Sequence, residues 1–134
     1  MNGFVFDYGW KKKELKRFLD KVIEFEIVLD SYTESDIITK NQKDTYKKIE
    51  EIFETIMNKS LDAITNYYKA EYGDYKKESI LEDVNLIDLI IFDSIENDRV
   101  IGLTFDCKWD IENGVGIKIK NEEVIDIGSQ DIVL

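Results

Sequence analysis

From Ile101 to Ile127 apolar residues recur at every second position, broken only by short polar stretches. Ile101, Leu103, Phe105 and Cys107 lead to Trp109; Val115, Ile117 and Ile119 follow, and Val124 to Ile127 closes the pattern. A period of two puts such residues on one face of a strand, so the segment reads as strands Val100–Trp109, Val115–Lys120 and Glu123–Ile127, each half buried. Asp110 to Gly114 is read as the first reversal, with Asn113-Gly114 supplying the left-handed backbone of a tight turn. In that turn the Asp110 carboxylate is expected to accept backbone N–H groups. An antiparallel meander needs a second layer to cover its apolar face.

The middle of the chain supplies that layer. Tyr46, Ile49, Phe53, Ile56, Met57, Ile64, Tyr67 and Tyr68 recur at three- and four-residue steps, which predicts an amphipathic helix to about Ala70, with a bend or restart near Asn58–Ser60 left open. Thr39-Lys40-Asn41-Gln42 fits a capping box at its start. Gly73 ends the pattern, and Asp74–Asp83 reads as a charged connection. Upstream, Phe4–Phe6 is a short strand and Val22–Leu29 a longer one with a wet face. Lys11–Asp20 fits two readings: Leu15, Phe18 and Leu19 sit at helical spacing, while nothing caps a helix, so a hairpin arm is equally open. Asn85 is read as the cap of a one-turn helix at Leu86–Leu89, before a strand at Ile90–Ile95 and a turn at Glu96–Asp98. The fold class that results is α+β, an antiparallel sheet packed against one long helix, in a single domain over residues 1–134.

The residues Trp109-Asp110-Ile111-Glu112-Asn113-Gly114-Val115-Gly116, the return strand and Gly128-Ser129-Gln130-Asp131 carry a resemblance. With Gln42 and Asn66-Tyr67-Tyr68 they make the last hundred or so residues similar to a family of small, largely uncharacterised bacterial domains. That family shares a Trp-Asp-x-Glu-x-Gly-x-Gly turn and a terminal Gly-x-x-Asp; at Asn113 it often carries His. Many such domains look like companions of secreted toxins, so the resemblance implies a fold and a toxin–immunity setting, not an active site.

Charge narrows the partner. The net charge is −11, unevenly placed. Residues 1–21 hold six basic and three acidic side chains (+3), and residues 22–134 hold twelve and twenty-six (−14). Such a body repels nucleic acid and anionic lipid and attracts basic surfaces; acidity that serves only solubility is the plainer reading. No apolar run approaches the roughly 18 residues of a membrane span. No signal peptide is visible at the N-terminus, so a cytoplasmic location is expected. Cys107 is the single cysteine and sits in phase with an apolar strand face, where it packs as a small hydrophobe.

Catalytic chemistry is not expected. The chain has no histidine, and it lacks phosphate loops, nucleophile elbows and dinucleotide fingerprints. Asp106, Asp110 and Glu112 lie close in sequence, but among twenty-nine acids such proximity is unremarkable. The same residues with Asn113 offer oxygen donors around a glycine, yet the spacing departs from a calcium loop, and neither metal nor cofactor is assigned. Trp109 reads as a core anchor by phase, with an exposed binding role as the alternative. Tyrosines among carboxylates at the helix end make the more suggestive surface; the plain alternative is a solvated helix end. The predicted partner site is therefore Tyr67, Glu71, Tyr72, Asp74, Tyr75 and Glu78, with Asp110 and Glu112 from the hairpin. The expected function is a non-enzymatic acidic immunity protein, monomer or weak dimer, that occludes a cognate basic toxin. The rival is a housekeeping or regulatory interaction domain of incidental acidity, self-associating through a strand edge.

Overall fold

The computed structural model describes residues 3–72, 77–95 and 97–134. Seven strands lie in one sheet in chain order: β1 (Val5–Phe6), β2 (Trp10–Phe18), β3 (Lys21–Leu29), β4 (Val84–Ile91), β5 (Val100–Cys107), β6 (Asp110–Lys120) and β7 (Glu123–Gly128). All neighbours run antiparallel except β3 and β4, which are parallel. A parallel pair needs a crossover, and α1 (Lys40–Tyr72) with α2 (Lys77–Asp83) provides it. The class is α+β, as the two periodicities require.

The capping box forms as its residues predict. Gln42 N–H donates to Thr39 Oγ1 (3.2 Å), and Thr39 N–H donates to Gln42 Oε1 (3.1 Å). α1 then runs unbroken past Asn58–Ser60. It buries Ile49, Phe53, Ile56, Met57, Leu61 and Ile64 against one sheet face, where Phe25, Ile27, Leu29, Leu89, Leu103, Phe105 and Ile117 meet it. Phe25 stacks on Phe53 at 5.3 Å.

One open reading is decided and two expectations are corrected. Lys11–Asp20 is a hairpin arm: β2 pairs antiparallel with β3 from Trp10↔Leu29 to Phe18↔Lys21, and the charged Lys12, Glu14 and Lys16 stand opposite Ile27, Phe25 and Ile23, so the β2 apolar pattern by itself does not show the pairing. Asn85 does not cap a helix: Val84–Ile91 is one strand, whose apolar phase is broken by a bulge between Leu86 and Asp88 that mimics helical spacing. Within Asp74–Asp83, a short helix covers Lys77–Asp83.

The opposite sheet face is covered only in part. A 3-10 turn at Gln130–Val133 folds back onto it, and Val133 and Ile132 pack with Val28, Ile90 and Phe92. Glycines make the approach possible. A Cβ at Gly102 would lie 2.9 Å from Val133 Cβ, and one at Gly116 only 2.5 Å from the Ser129 carbonyl oxygen.

Candidate functional site

The two ends of the sheet differ. At the end where β3 and β4 finish, polar contacts knit the elements together. Gln42, buried at the α1 N-terminus, donates from Nε2 to the Asp30 carbonyl (2.8 Å) and the Ile91 carbonyl (3.1 Å), tying helix to both parallel strands. Arg99 grips Glu122 through two bonds of 3.0 and 2.9 Å, a fork geometry that a lysine cannot reproduce.

At the other end lie the β2–β3 turn, the C-terminal part of α1, the start of β4 and the β5–β6 hairpin, and there Tyr67, Asp110 and Glu112 of the predicted site residues are found. The hairpin turn is Lys108-Trp109, not Asp110–Gly114 as the Asn-Gly pair suggested: Cys107 pairs with Asp110 and β6 starts immediately. Asp110–Gly114 is instead an irregular stretch inside β6, beside the register shift between Phe105 and Cys107. Gly114 takes φ +58° there. A Cβ at that position would collide with the Phe105 carbonyl oxygen and the Gln130 side chain. Gln130 Nε2 uses the space to donate to the Phe105 carbonyl (2.7 Å) and Asp106 Oδ1 (3.2 Å), supplying a donor where the strand ladder breaks. The glycines of the hairpin and the Gly128-Ser129-Gln130-Asp131 segment thus form one device. Nothing in their spacing alone reveals it, because the partners are brought together by the β6–β7 return.

Asp110 acts as expected within this stretch. Its carboxylate accepts the Asn113 backbone N–H (3.1 Å) and side-chain amide (3.2 Å). The bracing turns Ile111 outward, 84% exposed, with Glu112 exposed beside it. Cys107 points inward and its Sγ donates to the Asp110 carbonyl (3.4 Å); burial pushes its thiol above the usual range, which disfavours the thiolate needed for reactivity.

Trp109 joins the hairpin to the helix. Half buried against the core, it meets Tyr68 edge-on at 5.0 Å, and Tyr68 meets Tyr67 edge-on at 4.8 Å. The Tyr68 phenol is pushed up to about 12, chiefly by burial and then by the neighbouring Cys107. Tyr67 is half exposed. Tyr67 from α1 and Asp110-Glu112 from β6, distant in sequence, therefore lie on one corner, linked through Tyr68 and Trp109, neither of which sequence reasoning placed in the site. The Asn66-Tyr67-Tyr68 and Trp109-Asp110 runs carried the signal, but their contact is tertiary. The side chains of Glu71, Tyr72 and Glu78, and all of Asp74 and Tyr75, lie outside the described residues.

Beside this corner a cleft of about 340 Å³ runs between the start of β4 and the hairpin. Glu82, Asp83 and Asp106 give it negative charge, Val84 and Ile111 give it apolar wall, and Lys108 lies 3.7 Å from Asp83 across it. Among the described residues no group of three acidic or sulfur ligands converges as a metal site, and no helix is long and apolar enough to cross a membrane. Chemically, the corner presents aromatic rings and an aliphatic side chain amid carboxylates, a surface fit to bury area against a cationic one.

The chain belongs to the DUF6985 family, a domain of unknown function, whose match spans residues 1–134. No curated protein and no solved structure matches the chain.

Proposed function

We propose that this domain is a non-enzymatic binding protein of the immunity type, which occupies the basic active surface of a cognate toxin and excludes its substrate. The observation that carries the reading is the corner where Tyr67, Tyr68 and Trp109 meet edge-on beside Asp110 and Glu112. Aromatic side chains bury large area at little entropic cost, and the surrounding carboxylates set the polarity of the partner. The −11 net charge adds long-range attraction for a basic protein. Ile111 stands out from the same corner, where an apolar side chain has no role in the core.

The test is capture with the intact protein as bait in lysate of its own producing strain, washed at low and at high salt. The expected result is one stoichiometric basic protein, released as salt rises, whose retention falls when Tyr67 or Ile111 is replaced by Ser. Capture indifferent to salt and to both substitutions would remove the corner from the interface. Failure to capture any protein would favour the housekeeping alternative.

A further inference from the structure

The parallel pair β3–β4 is joined over only four residue pairs, Glu26↔Asp88 to Leu29↔Ile91. β3 begins five residues earlier, at Lys21, and β4 four residues earlier, at Val84, and over these lengths the two strands have no pairing with each other. A cleft of about 520 Å³ opens between them, within the range of pockets that hold ligands. Met57 of α1, Ile23 and Leu86 are buried along it; Glu24, Glu82 and Asn85 are exposed at its mouth, and Lys21 is the cation on its wall.

The backbone of β3 fixes what faces this cleft. The β2–β3 turn is a two-residue reversal closed by Phe18↔Lys21, so the odd-numbered residues of β3 exchange hydrogen bonds with β2. The even-numbered ones turn toward β4, as the bond from Asp30 N–H to the Ile91 carbonyl shows at the paired end. The N–H and C=O groups of Val22 and Glu24 therefore point into the split, where no strand answers them. Both residues are exposed, Val22 by 61%.

We infer that the split between β3 and β4 is a strand-addition site. It accepts a short extended segment of a partner protein, with apolar residues directed at Met57 and Leu86 and cationic residues alternating toward Glu24 and Glu82. An unpaired edge supplies main-chain affinity, while alternating side chains supply selectivity. The two carboxylates at the mouth, outnumbering Lys21, set the sign of the occupant. The site goes beyond the immunity reading: it names how a partner engages, whichever protein that partner is, and it adjoins the aromatic corner through Glu82, Val84 and Asn85, which line both clefts.

The probe is an acetylated, amidated pentapeptide alternating lysine and valine, added in millimolar excess to the full chain, with residue-resolved amide exchange as the readout. The expected result is exchange at Val22 and Glu24 slowed by about tenfold or more, with their odd-numbered neighbours unchanged. The same peptide N-methylated at both valines keeps its charge but lacks those donors, and is expected to give no slowing. Glu24→Pro removes only an N–H that points into the cleft and leaves the bonds to β2 intact, so it is expected to fold and lose the protection. Glu24→Gln, which keeps the backbone, is expected to weaken the effect without abolishing it. Equal response to the N-methylated peptide, a response confined to side chains, or protection already present through self-association of the peptide-free chain would each overturn the assignment. No toxin enters the experiment, so its failure and the failure of the immunity reading are separate results.

Discussion

The two ends of the sheet are built on opposite terms. At one end Gln42 ties α1 to the ends of β3 and β4, Arg99 and Asn121 tie the β4–β5 connection to the β6–β7 turn, and the parallel strands are paired. At the other, the same parallel strands part, β6 departs from regular register, and Leu19, Val22, Tyr67 and Ile111 are exposed. Left-handed backbone occurs at both ends, at Leu19 and Asp20 of the β2–β3 turn (φ 48° and 62°) and at Asn121 and Glu122 of the β6–β7 turn (φ 50° and 64°), but only the first pair places a leucine there. Such geometry disfavours L side chains, and leucine in particular. The difference teaches that side-chain hydrogen bonds tie the elements where the parallel strands pair, while at the open end the ladder is interrupted and Gln130 supplies a donor to the Phe105 carbonyl in its place.

The sharpest test of the comparison removes the prop beneath the open end. Gly114→Ala needs a Cβ where the Phe105 carbonyl and the Gln130 amide already sit, at a left-handed φ. The expected loss in urea unfolding is about 3 kcal/mol or more, from strain and the displaced Gln130 bonds. A midpoint within error of the parent would mean that the hairpin glycines do not support this end. Next in size is Gln42→Ala at the closed end, which takes the side-chain donor from the Asp30 carbonyl, leaves the Ile91 carbonyl with only the Asp30 N–H, and opens the capping box. About 2–3 kcal/mol should be lost, and amide exchange should rise at the N-terminus of α1 while the hairpin corner is spared. Loss of protection at both ends together would show that they unfold as one unit.

Replacing Leu19-Asp20 by Asn-Gly should act in the other direction. The pair suits a left-handed two-residue turn, and a gain of about 1 kcal/mol is expected in thermal or urea unfolding. A destabilised double variant would show that Leu19 contributes packing that outweighs its backbone strain. The smallest effect concerns Asp88, half buried on the sparsely covered face, whose carboxyl is pushed above the ordinary range first by burial and further by Glu26, against the hydrogen bond from Thr104. A folded-state value above the unfolded one means that the native state binds the proton more tightly. Its stability therefore falls as pH rises from the unfolded carboxylate value through the folded one, and the cost is fully present at neutral pH. Asp88→Asn should flatten that segment of the pH–stability curve and raise stability at pH 7 by less than about 1 kcal/mol, given the remaining solvent contact. An unchanged curve would assign the slope to other groups.

Legibility in the sequence followed the same division. The capping box of Thr39 and Gln42, the amphipathic length of α1, the strand phases of β3 and β5 and the inward Cys107 were all readable, because each rests on local period or on contacts three residues apart. The errors fell where period and register conflict. The Leu86/Asp88 bulge made part of β4 look helical, and Asn113-Gly114 looked like a hairpin turn although the reversal is Lys108-Trp109. In the candidate site, Tyr67, Asp110 and Glu112 were chosen from composition, but Tyr68 and Trp109, which join them, were read as core, and the bond of Gln130 to the broken ladder was not anticipated.

By itself the sequence determined that one helical face and one sheet face must bury each other, because periods of 3.6 and 2 leave no other way to remove those side chains from water. Its composition also determined a net charge of −11 and so the sign of the field around the molecule. Only the tertiary structure decided that β3 and β4 run parallel and then part, that glycines in β5, β6 and β7 admit the C-terminal turn, and that the helix end meets the hairpin. Those outcomes depend on pairing between residues sixty and more positions apart in β3 and β4, and on close approach between elements. Both are set by register and shape across the whole sheet, which no local pattern encodes.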